Sequence, residues 1–414
     1  MTSAARSASS RRVILLVLDG FGIGAMPDAA EYRQADAAAF TLRSLMRADA
    51  SLKLPNLELL GLGNAAVGSG FPPAAKPAGA FGRAALAHWG ADTYAGHNEL
   101  QGVLPPRPEV ALFSSVAAQV AAALAAEGHA VEPAIAGGSA LLVDGCALVG
   151  DNLEADPGLI YNVTAPLAAM AFDRIVGIGE TVRRIARTSR VIALGGTGID
   201  ARDILRHVRT NAAGQTGVLT PPLNIYNDDY RVRHLGYGIR PESEAPWLTI
   251  AAGQPVTLIG KLADVVECSG AEKVAAVQTP AVIDAVIAAM ARQTCGYIAA
   301  TVQETDLAGH VENASRYADI LRLADAGIGR IWSRLRHDDV LIIAADHGND
   351  PLIGHAFHTR EEVPLLVCGS RVRPVGLGRR TTLADVGATV CDYLGAAAPD
   401  AGESFAADIL GDGR

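Results

Sequence analysis

The chain has 414 residues, half of them apolar and 19% charged, which fits a globular protein with a large core and favours two domains over one. Its net charge of -9, with no Lys/Arg block beyond Arg11-Arg12, argues against nucleic acid as a partner, and no apolar run approaches the length of a membrane span. Five scattered cysteines (Cys146, Cys268, Cys295, Cys368 and Cys391), never in CxxC spacing, speak for buried thiols in a cytoplasmic protein and against a disulfide framework.

The first ten residues, MTSAARSASS, read as a flexible tail with no signal-type apolar segment behind it. Arg12–Leu18 (RVILLVL) is short and branched-aliphatic, as expected of a buried parallel strand, and runs into Asp19. The glycine-rich GFGIGAMPDAAEY that follows lacks both GxGxxG and the Walker Lys-Ser/Thr, so nucleotide binding is not expected. An Asp at a strand end is better placed as a metal ligand or turn former. TLRSLM and LPNLELLGLGN alternate short helical patterns with turns. In the stretch 84–102, Thr93 stands between Asp92 and Tyr94-Ala95-Gly96-His97. Local sequence favours a helix N-cap with Glu99 nearby; a nucleophilic hydroxyl would need a metal or a base beside it.

From 107 to 226 the composition changes, and the segment reads as an inserted domain. Leu112–Ala126 and Asp173–Arg187 are helical in pattern, and Ala140–Val143, Ala147–Val149 and Val191–Leu194 are strand-like. The polar loop GDNLEADPGLIYNVTA offers Asn152, Glu154 and Tyr161 as a substrate-facing edge, with an ordinary solvated loop as an equal alternative. From 227 the character of the larger domain returns. RVRHLGYGIR supplies Arg233 as an anion contact or a charged surface residue. PVTLIGKLADVV reads as strand, turn and helix with Lys261 at the strand end, and Val274–Arg292 as a helix. Tyr297–Val302 is a strand followed by a loop in which Asp306 and His310 stand four apart, a metal-ligand spacing, before a helix that begins near Asn313.

The most informative stretch runs from Val340 to Val367. Two apolar runs, Val340–Ala345 and Val363–Val367, flank a loop holding Asp346, His347, Asp350, His355 and His358, all of metal-ligand type. A helix, TTLADVGATVCDYLG, follows. In an open α/β sheet, ligands bind outside the carboxyl ends of the strands. Asp19, the Asp306/His310 pair and the Asp346/His347/His358 set all fall beyond apolar strands, and with a Thr hydroxyl they suffice for two divalent cations.

At these residues the chain resembles the phosphopentomutase family of the alkaline phosphatase superfamily. LVLDGFGIGAMPDA is similar to that family's first strand and metal Asp, GADTYAGHNELQG to its phosphothreonine segment, and ADHGNDPLIGHAFHTRE to its second metal segment. The resemblance implies an α/β fold: an alkaline-phosphatase-like core, 11–106 and 227–414, with a mostly parallel sheet flanked by helices, and a smaller α/β cap inserted at 107–226. It implies one cation on Asp306, His310 and His358, and another on Asp19, Asp346, His347 and the oxygen of Thr93, which carries the phosphoryl group. Manganese is the family's usual metal, while the ligand set also suits zinc and magnesium. The implied activity is isomerisation of a small phosphorylated sugar, ribose 1-phosphate and ribose 5-phosphate first, with a sugar bisphosphate as activator and the cap excluding water. The inserted segment VIALGGTGIDARD departs from the family where it grips the pentose phosphate. A phosphoester hydrolase on the same core and a non-catalytic metal- or ligand-binding protein are the alternatives.

Overall fold

The structure, a computed structural model, describes residues 10–223, 225 and 229–410; nearly all of the tail expected over 1–10, and the boundary at 226–227, lie outside them. The chain forms two compact units, one running to Pro105 and resuming at Ile239, the other spanning Pro106–Gly238. The strands before the insertion are β1 (Arg12–Leu18) and β2 (Ala80–Ala84). Within it come β3 (Val131–Pro133), β4 (Leu141–Val143), β5 (Ala147–Asp151), β6 (Ile160–Pro166), β7 (Arg190–Gly196), β8 (Val208–Thr210), β9 (Thr216–Val218) and β10 (Arg231–Gly236). After it come β11 (Val256–Ile259), β12 (Glu272–Val274), β13 (Gly296–Val302), β14 (Asp339–Ala344), β15 (Val363–Cys368) and β16 (Gly376–Arg380).

The larger unit is built on an eight-stranded sheet in the order β12-β11-β13-β1-β14-β15-β2-β16. Only β15 opposes the rest, pairing antiparallel with β14 and β2. β1, β13 and β14 are buried on both faces, which is why they read as continuous aliphatic runs rather than alternating ones. Helices Thr279–Arg292, Ala314–Trp332 and Ala384–Leu394 flank the sheet. Arg12, at the start of β1, is buried: it donates to the carbonyls of Met290 and Gln293 at 2.6 Å and pairs with Asp339 at the start of β14. Registers Leu18↔Val302 and Val17↔Ala344 keep β1 level with both neighbours. The residues that follow these three strands therefore emerge together on one edge.

The inserted unit has its own six-stranded sheet, β10-β7-β6-β5-β4-β3, in which only β6 and β7 run parallel. Its separate core includes Phe113, Val120, Tyr161, Val163 and Ile178. The hairpin β8–β9 lies against β5, where Asp151 accepts N–H bonds from Phe113 at 2.8 Å and Thr216 at 2.9 Å. A Cβ at Gly217 would overlap the carbonyl of Asp151, so only glycine permits this approach.

Several elements differ from expectation. GLIYNVTA was expected in a polar loop, but only 152–159 is irregular; Ile160–Pro166 is a buried strand. Arg231–Gly236, expected in the larger domain, pairs antiparallel with β7, so the insertion ends at Gly238 rather than 226. β2 (AFGRA) and β16 (GLGRR) carry glycine and arginine, which weaken a strand pattern, and were not foreseen. The expected helix from Val274 begins at Thr279, with Pro280 in its first turn, and Val274 instead closes β12. The segment holding Asp306 and His310 is a helix, Glu304–His310, rather than a loop. All five cysteines are unpaired, and Cys268, Cys368 and Cys391 are buried. Among the described residues no helix is long and apolar enough to cross a membrane.

Glu244, preceding helix Ala245–Ala251, is wholly buried, and among the described residues neither carboxylate oxygen has a hydrogen-bond partner. Burial, then the charges of Glu267 and Glu242, push its pKa well above the ordinary carboxyl value. Between the unfolded and folded pKa values the native chain holds a proton that the unfolded chain releases, so stability falls as pH rises through that window. Glu244→Gln should remove this slope. Thermal melts from about pH 5 to about pH 8 should show the variant's advantage over wild type growing with pH, whereas a constant difference would mean that Glu244 is ionised in the native state.

Candidate metal centre

Three adjacent strands deliver the carboxylates. β1 runs directly into Asp19, β14 into Ala345-Asp346-His347, and β13 into the helix Glu304–His310. Spacing of four puts Asp306 and His310 on one face of that helix, with His310 Nε2 3.3 Å from Asp306 Oδ2. His358 comes from the β14–β15 connection; its Nε2 lies 3.4 Å from Asp306 Oδ1 and 3.0 Å from His310 Nε2. His347 Nε2 lies 3.1 Å from Asp346 Oδ2 and 3.6 Å from Asp19 Oδ1. Two groups result, Asp306/His347/His358 and Asp19/Asp346/His347, each with its ligand atoms within 4.8 Å of one another. His347 belongs to both, a sharing that spacing in the sequence did not indicate.

The hydrogen bonds of the three histidines test whether cations fit here. In each, Nδ1 faces a backbone carbonyl: Gly348 at 2.9 Å for His347, Ala356 at 2.7 Å for His310 and Ala91 at 2.9 Å for His358. Carbonyls only accept, so each Nδ1 carries a hydrogen and each Nε2 is turned inward, the atom that metal ligation would use once free of a proton. His310 and His358 meet Nε2 to Nε2 across 3.0 Å, so both rings turn the same nitrogen to one point. Asp19 Oδ1 and His347 Nε2 are buried and have no hydrogen-bond partner among the described residues. These donors and orphaned atoms fit divalent cations.

Electrostatics point the same way. Asp19, Asp306 and Asp346 are all buried. Burial, then the charge of Asp346, pushes Asp19 up to about 7. Burial also opposes ionisation of Asp306 and Asp346, yet Lys261 and His358 for the first, and His347 and His97 for the second, hold both well below the usual carboxylate range. Burial pulls His347 down, but Asp346 and its neighbouring carboxylates outweigh it and raise the ring to about 9. Burial and His347 push His358 down to about 4. The Lys261 ammonium lies 2.8 Å from Asp19 Oδ2 and 3.4 Å from Asp306 Oδ2, at the start of the helix after β11. Burial disfavours its charge, but these carboxylates raise its pKa above the ordinary lysine value.

Thr93 is the first residue of helix Thr93–Glu99; Asp92, not Thr93, is the N-cap, accepting the Ala95 N–H at 2.9 Å. The Thr93 hydroxyl donates to Asp346 Oδ2 at 2.7 Å. Gly96 makes that approach feasible, since a Cβ there would overlap the Asp346 carbonyl. Glu99, expected only as a capping partner, is wholly buried and accepts from the N–H groups of Ala87, His88 and Leu383, from the Thr382 hydroxyl and from His88 Nδ1.

Not every candidate joins the centre. Asp350 accepts from Phe40 N–H and the Ser44 hydroxyl, both at 2.9 Å, and His355 Nε2 meets Asp36 at 3.0 Å; both brace the loop. Asn152, Glu154, Tyr161 and Arg233 lie in the inserted unit. Tyr161 is wholly buried on β6, donates to the Ala111 carbonyl at 2.6 Å and packs edge-on against Phe113, so it belongs to that unit's core and not to a substrate-facing edge. The Asn152 amide donates to Asn162 at 3.2 Å and its oxygen accepts the Glu154 N–H, while Glu154 accepts from Thr220. Arg233 is on β10, opposite Ala193 of β7. Sequence reading missed Asn349, whose amide donates to Asp306 Oδ1 at 2.8 Å, and Glu361, which accepts from Thr41 and Thr359 hydroxyls at 2.7 Å. Both lie within the Asp346–Glu362 stretch, so their proximity in sequence to the ligands was the available signal.

Residues 11–398 match a family described as the metalloenzyme superfamily. The phosphopentomutase of Symbiobacterium thermophilum is 33% identical over 97% of this chain and 99% of its own length, and that of Acetivibrio thermocellus is 30% identical over 97% and 100%. Among solved structures, alkaline phosphatase from the Antarctic bacterium TAB5 is 11% identical over 94% of this chain and 99% of its own, with a TM-score of 0.38, too loose to bear on chemistry.

If the two groups hold cations, divalent metal at about 100 times its Kd should stabilise the native state by about 2.7 kcal/mol per site, read as a rise in melting temperature that chelator reverses. Asp346→Asn should lower the metal content measured on purified protein. Unchanged content would remove Asp346 from the site.

Proposed function

This chain belongs to the metalloenzyme superfamily and, within it, to the phosphopentomutase family, and on that footing we propose that it is a metal-dependent phosphomutase. The reading extends to a phosphoenzyme on Thr93 acting on a small sugar phosphate, with ribose 1-phosphate and ribose 5-phosphate as the first pair to test. What supports it most is the Thr93 hydroxyl donating to Asp346 at 2.7 Å beside two His/Asp groups. Asp306, His310 and His358 would hold one cation, and Asp19, Asp346, His347 and Thr93 the other, manganese being the first candidate. Bound there, the cations supply charge neutralisation for the phosphoryl oxygens and a lower pKa for the threonine hydroxyl.

The chain's own residues account for the rest. Phospho-Thr93 gives its phosphoryl to the free hydroxyl of a sugar monophosphate: the phosphorus bond to Thr93 Oγ breaks, one to the sugar oxygen forms, and the proton of the sugar hydroxyl passes in net to the freed Thr93 Oγ. The bisphosphate turns, the bond between phosphorus and the sugar oxygen at its other phosphate breaks, Thr93 Oγ takes that phosphoryl back, and its proton passes in net to the released sugar oxygen. Asp346 Oδ2 accepts the Thr93 hydroxyl hydrogen bond when the residue is unmodified. Lys261, whose ammonium lies beside Asp19 and Asp306, would offer its positive charge to the substrate's phosphate. Helix Thr93–Glu99, held by Glu99, keeps the nucleophilic oxygen in place, so catalysis rests on positioning and electrostatics.

The test is conversion of ribose 1-phosphate with manganese and a sugar bisphosphate activator, following inorganic phosphate in parallel. Isomerisation without phosphate release is the expected result; release alone would assign a hydrolase. Thr93→Ala should lower turnover by about three orders of magnitude or more while metal content stays near normal. Retained turnover would sink the role of Thr93.

A further inference from the structure

We infer that His97 is a positioning residue for the cation group that contains Asp346: pinned at both ring nitrogens, it sets the orientation of the Asp346 carboxylate and the Thr93 hydroxyl. The inference rests on the reading of Asp19, Asp346, His347 and Thr93 as ligands of one cation. His97 lies one helical turn beyond Thr93 and is wholly buried. Its Nδ1 is 2.9 Å from Asp346 Oδ2, 2.9 Å from the Thr93 carbonyl and 3.3 Å from Thr93 Oγ. A carboxylate and a carbonyl only accept, so Nδ1 carries a hydrogen and donates toward them. On the far side of the ring, Nε2 lies 2.9 Å from Thr301 Oγ. Thr301 is on β13, the strand paired with β1 that leads to Asp306. Whichever partner donates in that second bond, a ring flip breaks both.

This chain of contacts, β13 to Thr301 to His97 to Asp346, ties the nucleophile's helix to the rigid sheet through the carboxylate. Asp346 Oδ2 now receives the Thr93 hydroxyl at 2.7 Å, and its Oδ1 receives only the Gly20 N–H at 3.2 Å. The Thr93 bond is lost whenever Thr93 Oγ is deprotonated or carries a phosphoryl group. The His97 N–H is then the close donor that remains to orient Asp346. Partners of this kind, which do not touch the cation but aim its ligands, commonly change affinity by about 10-fold to 100-fold when removed. The bland alternative is a satisfied core histidine that serves folding alone, and it makes a different forecast.

Full-length protein stripped with chelator would be titrated with manganese by calorimetry, and the metal-free melting temperature recorded for each variant. Wild type should bind two cations. His97→Ala should weaken one binding event about 10-fold and leave the other unchanged. Thr301→Val should weaken the same event by a smaller factor, and Thr301→Ser, which keeps the hydroxyl, should restore it. A His97→Ala variant that folds and binds both cations as wild type does overturns the inference. Should that variant not fold, the Thr301 pair decides, and wild-type affinity in Thr301→Val overturns it equally. Wild type binding fewer than two cations sinks the two-cation reading and the inference together, a failure told apart because it precedes any substitution.

Discussion

Three buried carboxylates at the ends of three neighbouring strands are the constraint to which the rest of the larger unit answers. Asp19, Asp306 and Asp346 emerge side by side because β1 is level with β13 and with β14. Removing like charges from water and crowding them is costly unless counter-charge and hydrogen bonds are supplied. The fold supplies both: the Lys261 ammonium between Asp19 and Asp306, the His347 ring between Asp19 and Asp346, the Asn349 amide on Asp306 and the Thr93 hydroxyl on Asp346. Even so, Asp19 Oδ1 has no hydrogen-bond partner among the described residues. The edge of the sheet is arranged for positive charge that side chains alone do not complete.

A second set of buried polar residues holds the chain that carries those ligands. Arg360 is the clearest case. Its guanidinium donates to the carbonyls of Leu86, His88 and Gly90 and pairs with both oxygens of Asp28. It thereby clamps the segment that enters the Thr93 helix to the β14–β15 connection, two residues after His358. Glu99 grips the same segment from the other end of that helix. Glu361, pushed up to about 7 by burial and then by Asp350, ties Thr41 and Thr359 together beneath the loop. Loops positioned by such networks behave as extensions of the sheet, which matters where a small misplacement of a reacting oxygen costs rate.

The sheet's centre and the ligand types were legible in the sequence because aliphatic runs followed directly by Asp have few other readings. β1, β13 and β14 stand within a residue of where their patterns put them, and helix Ala314–Trp332 starts at its Asn313 cap. What was not legible depends on contacts distant in sequence. β2 and β16 are held by pairing with β15 and with each other, not by their own composition. β10 is a strand of the insertion because β7 offers an edge, a fact that RVRHLGYGIR does not carry. Asp350 and His355 have the right chemistry for ligands, yet Ser44 and Asp36 claim them from across the chain. Tyr161 looked like a polar-loop residue because its neighbours up to Asp156 are polar, whereas its own strand is buried.

The shortness of helix Thr93–Glu99 follows from the same constraint. A helix so short is marginal in isolation, so its place must come from tertiary contacts. It receives them at both ends: Asp92 caps the first turn, Gly96 lets the backbone press on Asp346, and Glu99 anchors the last turn against Thr382 and Leu383. Such a helix has little freedom to relax when the hydroxyl at its first position changes its bonding partner. That rigidity is what a group alternating between hydroxyl and ester would need, because each state must present the same oxygen to the same cluster of charge. The site's stability is thus invested in the backbone around Thr93 rather than in the bonds of Thr93 itself, which the proposed chemistry would need to break.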